Sequence, residues 1–424
     1  MDHVYVLNMQ GEPLMPCSPR KARLLLKSNR AHISKYTPFT IQLNYPTGRK
    51  LQHITLGVDA GSKTIGLSAS TESQELFSAE FKPRNDVVNL LSTRRELRGT
   101  RRNRKTRYRK PRFNNRVKSK HKGWLAPSVE VKINNHLQAI DIVCKILPID
   151  HIQIETAEFD IQRLKAMLEG KPLPIGIDYQ LGEMYDYYNV RQYVLHRDRY
   201  QCRYCHTKKA KFHIHHLESR KTGGNRPDNL ITLCEDCHKK YHNGKISLDG
   251  IKKGRSYRDA AFMGIMRKTL LERTKARYPD IHIQETYGYI TKYIREINKM
   301  PKSHINDALC IARHQKAKRA ETDYLIKPIR AHNRQIHKVN PRKGGIRPRN
   351  QSAKNIHGFK LFDKVRYNNQ TGFITGKRSS GNFLLKTIDN KLIANHALYK
   401  RLTLLQHTNR YIIQKKGNTT LPHS

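Results

Sequence analysis

Three acidic residues at the ends of apolar segments constrain the fold of this chain more than any other feature. Asp59 and Glu155 each close a short apolar run that is typical of a buried strand, and Asp307 lies in the first turn of an apolar helix. A carboxylate at the end of a buried strand is held rigidly, so three such groups can share a metal ion. We therefore predict one metal site formed by these three acids, although each acid taken singly could instead cap a turn or a helix.

The segment 54–67 carries two apolar strands around a glycine-containing turn and resembles the opening hairpin of an RNase H type sheet. The glycines beside Asp59 would let a phosphate and a metal ion approach the backbone closely. Two Mg²⁺ ions held by the three acids would activate water and stabilise the leaving oxygen of a phosphodiester. His304 lies one turn before Asp307 on the same helix face, so we expect it to assist proton transfer.

The chain of 424 residues is strongly basic, with 82 Lys and Arg against 34 Asp and Glu and a formal net charge of +48. Such a charge repels itself unless a polyanion is bound, which makes nucleic acid the expected partner. A membrane surface is the other candidate, but no apolar run approaches the roughly 20 residues of a spanning helix. The opening residues lack a signal-peptide pattern, so we expect a location in the cytoplasm or the nucleoid.

The basic residues are densest between positions 92 and 120, where Glu96 is the acid that opposes them. Arginines recur there at three- and four-residue spacing along one helix face, and others extend the charge around it, which favours phosphate binding. A solvated surface helix is the alternative, but almost nothing balances the charge. The pattern does not separate RNA from DNA. The arginines expected to bind nucleic acid are Arg94, Arg95, Arg98, Arg101, Arg102, Arg104, Arg107, Arg109 and Arg112.

Four of the seven cysteines form two C-x-x-C pairs, Cys202 with Cys205 and Cys234 with Cys237. Thiolate pairs at this separation are typical of a closed tetrahedral zinc site, which would stabilise a fold too small to be stable alone. Few and unevenly placed cysteines also favour metal binding in a reducing compartment over disulfides. We therefore predict a structural Zn²⁺ at these four residues.

A second constellation lies between and after the cysteine pairs. It consists of the tandem His215-His216, a Gly-Gly loop leading to Asn229, and His238 directly after the last cysteine. The order His, Asn, His across two strands and a helix resembles the HNH endonuclease family. That resemblance implies that His216 takes a proton from the attacking water, that Asn229 holds this ring or the metal shell, and that His215 and His238 bind one Mg²⁺.

A structural zinc ribbon with incidental histidines is the alternative to this HNH interpretation. Many members of the HNH family carry an acid at the position of His215, which leaves the exact metal shell open. His242 is expected to be a surface or secondary residue rather than a ligand.

The two ends of the chain predict smaller units. Near the N-terminus, Ser18 and Pro19 mark the start of a helix after an apolar strand, and the PLMP segment at 13–16 is expected to be a rigid connector. After position 331, basic residues precede several short strand signals. These predict a small β-barrel whose basic loops contact duplex DNA, with a solvated capping domain as the alternative.

Over nearly its whole length, the order of these parts closely resembles the IscB family of transposon-encoded RNA-guided nucleases. The resemblance implies a multidomain α/β protein whose RNase H-like (RuvC) fold is split by an arginine-rich bridge helix and an inserted ββα-metal HNH domain. The implied parts are a PLMP domain at 1–50, RuvC-like segments at 51–91, 123–180 and 251–325, the bridge helix at 92–122, the HNH domain with its zinc knuckles at 181–250, and a C-terminal basic β domain at 326–424.

The family resemblance also implies a function, which is cleavage of double-stranded DNA directed by a structured guide RNA, the omega RNA. The HNH centre would cut the guide-paired target strand, and the RuvC-like centre would cut the displaced strand. The C-terminal domain would help to read a short motif beside the target. The protein would be a monomer within a ribonucleoprotein.

The composition is compatible with a guide RNA, because little protein is left to recognise a base sequence and pairing would have to supply specificity. Two alternatives stay open. One is a protein-only HNH and RuvC DNA endonuclease, and the other is a non-catalytic RNA-binding protein that keeps nuclease-like folds.

Overall fold

The computed structural model describes residues 3–48, 50–102, 124–156, 172, 187, 189–218, 227–248, 251, 258–330, 353–408 and 410–417. The described residues fall into two compact units: those within Met1–Ser119, Ala126–Glu158 and Met266–Ser424, and those within Lys120–Leu125 and Phe159–Ile265. The three predicted acidic ligands lie in the first unit and the four predicted cysteine ligands in the second. The two predicted metal sites therefore belong to different units.

A four-stranded sheet opens the chain. It consists of β1 (Val4–Leu7), β2 (Pro13–Cys17), β3 (Ala31–Tyr36) and β4 (Phe39–Leu43) in the order β2-β1-β4-β3, accompanied by helix α1 (Pro19–Lys27). The Ser18 side chain caps α1 by accepting from the Lys21 amide, as the sequence predicts. The PLMP segment is a strand paired with β1, so the predicted connector is wrong. The segment forms a strand because Leu14 is buried in the apolar core that also contains Val6.

A seven-stranded mixed sheet forms the centre of the first unit. Its strands are β5 (Thr55–Ala60), β6 (Ile65–Ser70), β7 (Glu75–Phe81), β8 (His151–Thr156), β11 (His282–Tyr287), β12 (Thr322–Pro328) and β18 (Tyr411–Gly417), in the order β11-β8-β5-β6-β7-β12-β18. Strands β5, β6 and β7 pair antiparallel in succession, whereas β8 and β11 run parallel to β5, and β12 runs parallel to β7. The hairpin predicted for 54–67 is the β5–β6 hairpin, and the predicted strand before Glu155 is β8.

Besides α1, five α-helices of the described residues belong wholly or mostly to the first unit. They are α2 (Val87–Arg102), α3 (Pro127–Cys144), α6 (Arg258–Arg277), α7 (Gly288–Ile297) and α8 (His304–Ala312). Helix α2 begins before the predicted bridge-helix boundary at 92, because charge density locates the basic surface but does not mark where helical backbone starts. Within the described ranges, no helix is both long and apolar enough to cross a membrane.

Helix α8 lies directly against β5 and β6 because both strands present glycine at the contact. A Cβ at Gly57 would lie 2.0 Å from the carbonyl oxygen of Ala308, and a Cβ at Gly66 would lie 1.9 Å from that of His304. A side chain of any size at either strand position would displace the helix. This contact therefore fixes the start of α8, which carries Asp307, against the sheet.

The second unit contains a ββα motif. Strands β9 (Phe212–His216) and β10 (Leu230–Cys234) form an antiparallel hairpin, and helix α5 (Glu235–His242) follows β10 directly. Helix α4 (Val190–Arg197) packs on the hairpin through Val194, which shares a core with Leu230. Another apolar cluster surrounds Cys202, Cys234 and Cys237. The order of two strands and a helix is the one that the HNH resemblance implies.

A five-stranded antiparallel sheet lies near the C-terminus. Its strands are β13 (Lys364–Tyr367), β14 (Gln370–Lys377), β15 (Asn382–Lys386), β16 (Leu392–Leu398) and β17 (Thr403–Gln406), in the order β16-β15-β14-β13-β17. Among the described strands no pairing joins β16 to β17, so the sheet is open where a closed barrel was predicted. Strand β18 follows this sheet in the chain but pairs with β12 of the central sheet, where it covers the edge of β12. The last described strand of the segment 326–424 thus belongs to the central sheet.

Replacing Gly57 or Gly66 by alanine is expected to destabilise the first unit by roughly 1–3 kcal/mol, because the added methyl group must push the α8 backbone away from the sheet. Urea unfolding followed by circular dichroism measures the change. Gly48→Ala is the matched control, since nothing lies within 4 Å of a Cβ built there. Equal stability of all three variants would contradict the close contact.

Candidate functional site

A carboxylate centre lies where β5 and β8 end side by side. Asp59 and Glu155 are direct register partners on these parallel strands, so their side chains leave the same face of the sheet. Helix α8 adds Asp307 in its first turn and His304 at its start. The Nδ1 atom of His304 lies 2.6 Å from Oδ2 of Asp59. The structure thus brings together the four residues that the sequence predicts for this centre.

Burial and mutual repulsion determine the charges of the carboxylate centre. Burial raises the pKa of Asp59, while its hydrogen bond with His304 opposes the rise. Burial also raises the pKa of Glu155 to about 7, a hydrogen bond with Thr291 opposes this, and the carboxylates of Asp59 and Asp307 add to it. The hydrogen bond with Asp59 raises the pKa of His304 in turn. A divalent cation would stabilise such a group of carboxylates in the charged form.

Helix α7 contributes two residues to the carboxylate centre that are absent from the sequence-based prediction. Arg295 donates from Nη1 to Oδ1 of Asp307 at 2.5 Å, with the two side chains only 12% and 14% exposed. Thr291, one turn earlier on the same helix face, contacts Glu155. Their spacing of four residues is visible in the sequence, but the direction of that helix face is set by tertiary packing. The oxygen ligands of the three acids fit Mg²⁺, with one of them held by Arg295.

The four cysteines of the second unit form one cluster. The Sγ atoms of Cys202, Cys205, Cys234 and Cys237 all lie within 4.8 Å of one another, and those of Cys205 and Cys234 are 3.6 Å apart. Zn–S bonds of about 2.3 Å in a tetrahedron place the sulfur atoms roughly 3.8 Å apart. The cluster therefore fits a Zn²⁺ ion with four thiolate ligands, as the sequence predicts.

Three histidines form a second cluster in the same unit. Ligand nitrogens of His215, His238 and His242 lie within 4.8 Å of one another, and the Nε2 atoms of His238 and His242 are 3.3 Å apart. Burial, and then the neighbouring imidazoles, lower the pKa of His215 to about 4, which keeps it neutral. Its Nε2 is buried without a hydrogen-bond partner among the described residues. A neutral, buried and unpartnered imidazole nitrogen fits a metal ligand.

His242 is exposed, as the sequence predicts, but its imidazole also joins this cluster, which the sequence analysis did not expect. It lies one turn after His238 on α5, so both imidazoles project from the same helix face. An H-x-x-x-H pattern on a helix is a known arrangement for metal binding, and this signal could have identified His242.

His216 and Asn229 lie beside the histidine cluster. His216 ends β9 and lines a cleft of about 280 Å³ together with Arg191 and His238. Asn229 is fully buried, accepts from the Glu218 amide at 2.8 Å through Oδ1, and donates to the Glu218 carbonyl at 3.1 Å through Nδ2. These bonds hold the backbone just after His216.

Some of the predicted nucleic-acid-binding arginines lie on α2. Arg94 and Arg95 are exposed there, and Arg98, Arg101 and Arg102 belong to the same helix. The remaining four, Arg104, Arg107, Arg109 and Arg112, lie outside the described residues.

Two protein families match this chain. The RRXRR protein family matches residues 4–180, which include Asp59 and Glu155. The HNH endonuclease family matches residues 202–244, which include both the cysteine and the histidine cluster. The chain belongs to the IscB-like nucleases. This family assignment rests on finding both matches, the RRXRR match and the HNH match, in one chain.

Individual relatives match smaller shares of the IscB-like nuclease. Anaredoxin of Nostoc sp. (strain PCC 7120 / SAG 25.82 / UTEX 2576) is 35% identical over 66 residues, which are 15% of this chain and 87% of Anaredoxin. Crystal structures of Streptococcus thermophilus Cas9 with AGGA and AGAA PAM are 12% identical and match 62% of this chain, with TM-scores of 0.29 and 0.30. The type II-C Cas9 of Actinomyces naeslundii is 16% identical over 44% of this chain, with a TM-score of 0.15. The chain spans 32% of the first two Cas9 chains and 27% of the third.

The purified protein is expected to hold zinc at the cysteine cluster. Cys205→Ser and Cys234→Ser should each lose about one zinc ion per chain and lower the thermal stability of the second unit, because a structural zinc contributes folding free energy directly. Elemental analysis and thermal unfolding check both effects. Cys17→Ser, outside the cluster, is the control that should keep the metal. Undiminished zinc in the Cys234→Ser protein would refute the site.

Glu155→Gln is expected to raise the melting temperature of the protein without added divalent ions at pH 8, and to have a smaller effect at pH 5. The sign follows from linkage, because this carboxyl binds more protons in the folded than in the unfolded state between pH 4.5 and about 7. Its contribution to stability therefore falls as pH rises through that window, and glutamine mimics the protonated form.

Calorimetry at the two pH values measures the Glu155→Gln effect. Glu72→Gln removes an exposed carboxyl of the same unit and should leave the melting temperature unchanged at both. A Glu155→Gln effect that does not depend on pH would show that the charge of this residue is not the cause.

Proposed function

We propose that this IscB-like nuclease is an RNA-guided DNA endonuclease whose two centres cut opposite strands. The observation that carries the proposal is the presence in one chain of a carboxylate centre and a histidine centre of different chemistry, each within its own compact unit. A nuclease with one centre must dimerise or turn around to cut both strands. Two unlike centres allow a monomer to make both cuts, with HNH on the guide-paired strand and the RuvC-like centre on the displaced strand.

In the histidine centre, His216 is the proposed general base. Its imidazole lines the cleft beside the cluster and would take a proton from the attacking water. Arg191 lines the same cleft and adds positive charge for a phosphate. A divalent ion held by His215, His238 and His242 would stabilise the charge that develops on the scissile phosphate. Three imidazole ligands suit a transition ion such as Ni²⁺ better than the Mg²⁺ predicted from the sequence.

In the carboxylate centre, His304 is the proposed proton carrier. Its hydrogen bond with Asp59 fixes the imidazole at the end of β5. Two Mg²⁺ ions held by Asp59, Glu155 and Asp307 would activate water and stabilise the leaving oxygen. Arg295 fixes the Asp307 carboxylate through one of its oxygens, and so keeps the start of α8 in place.

Sequence specificity is proposed to come from a guide RNA. The net charge of +48 and the exposed arginines of α2 support an extended contact with nucleic acid phosphates. The C-terminal five-stranded sheet is proposed to contact the motif beside the target. Both assignments follow the family resemblance. The proposed location is the prokaryotic cytoplasm.

Asp59→Ala and His216→Ala are expected to leave nicks in opposite strands of a target duplex. Each should slow cleavage of its own strand by about 10²-fold or more, since each removes a ligand or base from one centre only. Strand-labelled DNA on denaturing gels, with the RNA that co-purifies, gives the readout. His32→Ala is the control and should cut both strands.

The Asp59→Ala protein also tests the metal preference of the histidine centre. Its remaining nick should form faster in Ni²⁺ than in Mg²⁺, because three imidazoles hold the ion there.

The same assay distinguishes the proposal from its alternatives. Loss of both cuts from one substitution would refute independent centres. Cleavage that persists after RNase treatment, or the absence of a discrete co-purifying RNA, would favour a protein-only nuclease. Absence of any cut with intact RNA binding would favour a non-catalytic RNA-binding protein.

A further inference from the structure

Helix α7 has two faces of opposite character. Thr291 and Arg295 lie on the inner face, at the carboxylate centre. Tyr289, Tyr293 and Ile297 follow one another at four-residue spacing on the other face and are 58%, 66% and 59% exposed. We call these last three residues the tyrosine stripe. Exposure of three consecutive large side chains along one helix face is costly in water, so the stripe requires an explanation.

The tyrosine stripe begins at the carboxylate centre. Strand β11 ends with Tyr287, which pairs with Thr156 directly after Glu155. A Cβ at the next residue, Gly288, would lie 3.2 Å from Oε1 of Glu155. The rings of Tyr287 and Tyr289 stack with their centroids 6.0 Å apart and their planes at 9°. Tyrosines therefore flank Gly288, which lies against Glu155, and continue along the exposed face of α7 as far as Tyr293.

The chemistry of the tyrosine stripe suits single-stranded nucleic acid better than a protein surface. Successive tyrosines on one helix face are separated by about 6 Å along the axis, which offers one ring for each of a series of unstacked bases. Lys299 and Lys302, just after the helix, add positive charge, and Lys302 acts on the Asp59 carboxylate, whereas Lys292 pairs with Glu296 on the helix itself. Bases within a duplex are already stacked, so the rings would discriminate in favour of a single strand.

We propose that Tyr289 and Tyr293 form a stacking platform for bases of the displaced DNA strand, next to the phosphate presented to the carboxylate centre. The inference rests on the proposed function, because it assigns this centre a single-stranded substrate. The platform would hold the strand by its bases while the adjacent lysines contact its phosphates. It would select single-stranded DNA without reading its sequence.

A binding experiment with the full chain tests the platform separately from catalysis. The Tyr289→Ala/Tyr293→Ala protein and the Tyr289→Phe/Tyr293→Phe protein are compared with the unchanged protein, without added divalent ions and at raised salt, where phosphate contacts weaken. Fluorescence anisotropy with a mixed-sequence single-stranded oligonucleotide measures affinity. The alanine protein is expected to bind about tenfold more weakly or worse, whereas the phenylalanine protein keeps its rings and its affinity.

Three further readouts decide the outcome. Duplex binding and the slope of affinity against salt should not change in the alanine protein, because stacking releases no counterions. Iododeoxyuridine in the single strand should crosslink to the peptide that contains Tyr289 and Tyr293. Tyr36→Ala removes a tyrosine of equal exposure, 58%, from β3 and should have no effect.

The platform would be overturned by equal losses for duplex and single strand, by unchanged single-strand binding in the alanine protein, or by crosslinks that avoid α7. It would also be overturned if hydrogen exchange showed α7 protected by another part of the protein before DNA is added. Failure of the proposed nuclease function would look different: single-strand binding would depend on the two tyrosines, but no strand would be cut.

Discussion

The carboxylate centre depends on the contact between the backbone of α8 and the two glycines that it crosses. Asp59 and Glu155 are placed by strand pairing alone, since they end adjacent parallel strands. His304 and Asp307 come from a helix that follows the inserted second unit, and no strand pairing positions them. Gly57 and Gly66 do so, because a helix seated on bare backbone has no side chain whose rotation could shift its register. The insertion can therefore be long without loosening the centre.

The two units use different ligand chemistry for different tasks. The first unit has an extensive apolar sheet core, so its proposed metal ligands are oxygen atoms at the edge of that core rather than residues that hold the core together. The second unit has small cores, one of which is formed around three of its cysteines. Thiolates there suit a structural zinc, while the imidazoles near the end of β9 and on α5 suit a reacting ion. Separation of thiolate, imidazole and carboxylate ligands along the chain would direct different ions to different sites.

Sequence patterns predicted the parts of the sites that depend on local structure. Apolar runs located β5 and β8 and hence Asp59 and Glu155, and the cysteine spacing located the thiolate cluster. The features that the sequence did not predict depend on tertiary packing. The PLMP segment became a strand because Leu14 enters a core, and β18 joined the central sheet because β12 offered an unpaired edge. Arg295 was missed because its role depends on the direction in which α7 faces, whereas the spacing of His238 and His242 was a local signal left unused.

Arg295 explains how three acids can occupy one partly buried place. Without a cation, their repulsion would push the start of α8 away from the sheet. Arg295 offsets the charge of Asp307, and the hydrogen bond with His304 offsets that of Asp59. Glu155 has the weaker partner, the Thr291 hydroxyl, and its pKa rises to about 7. The negative charge of the three acids is therefore offset in three ways. The Arg295 guanidinium offsets Asp307, the His304 imidazole offsets Asp59, and a bound proton offsets Glu155. The proton is the group that a bound divalent ion can replace without breaking an ion pair, so cation binding at this centre is coupled to release of a proton from Glu155.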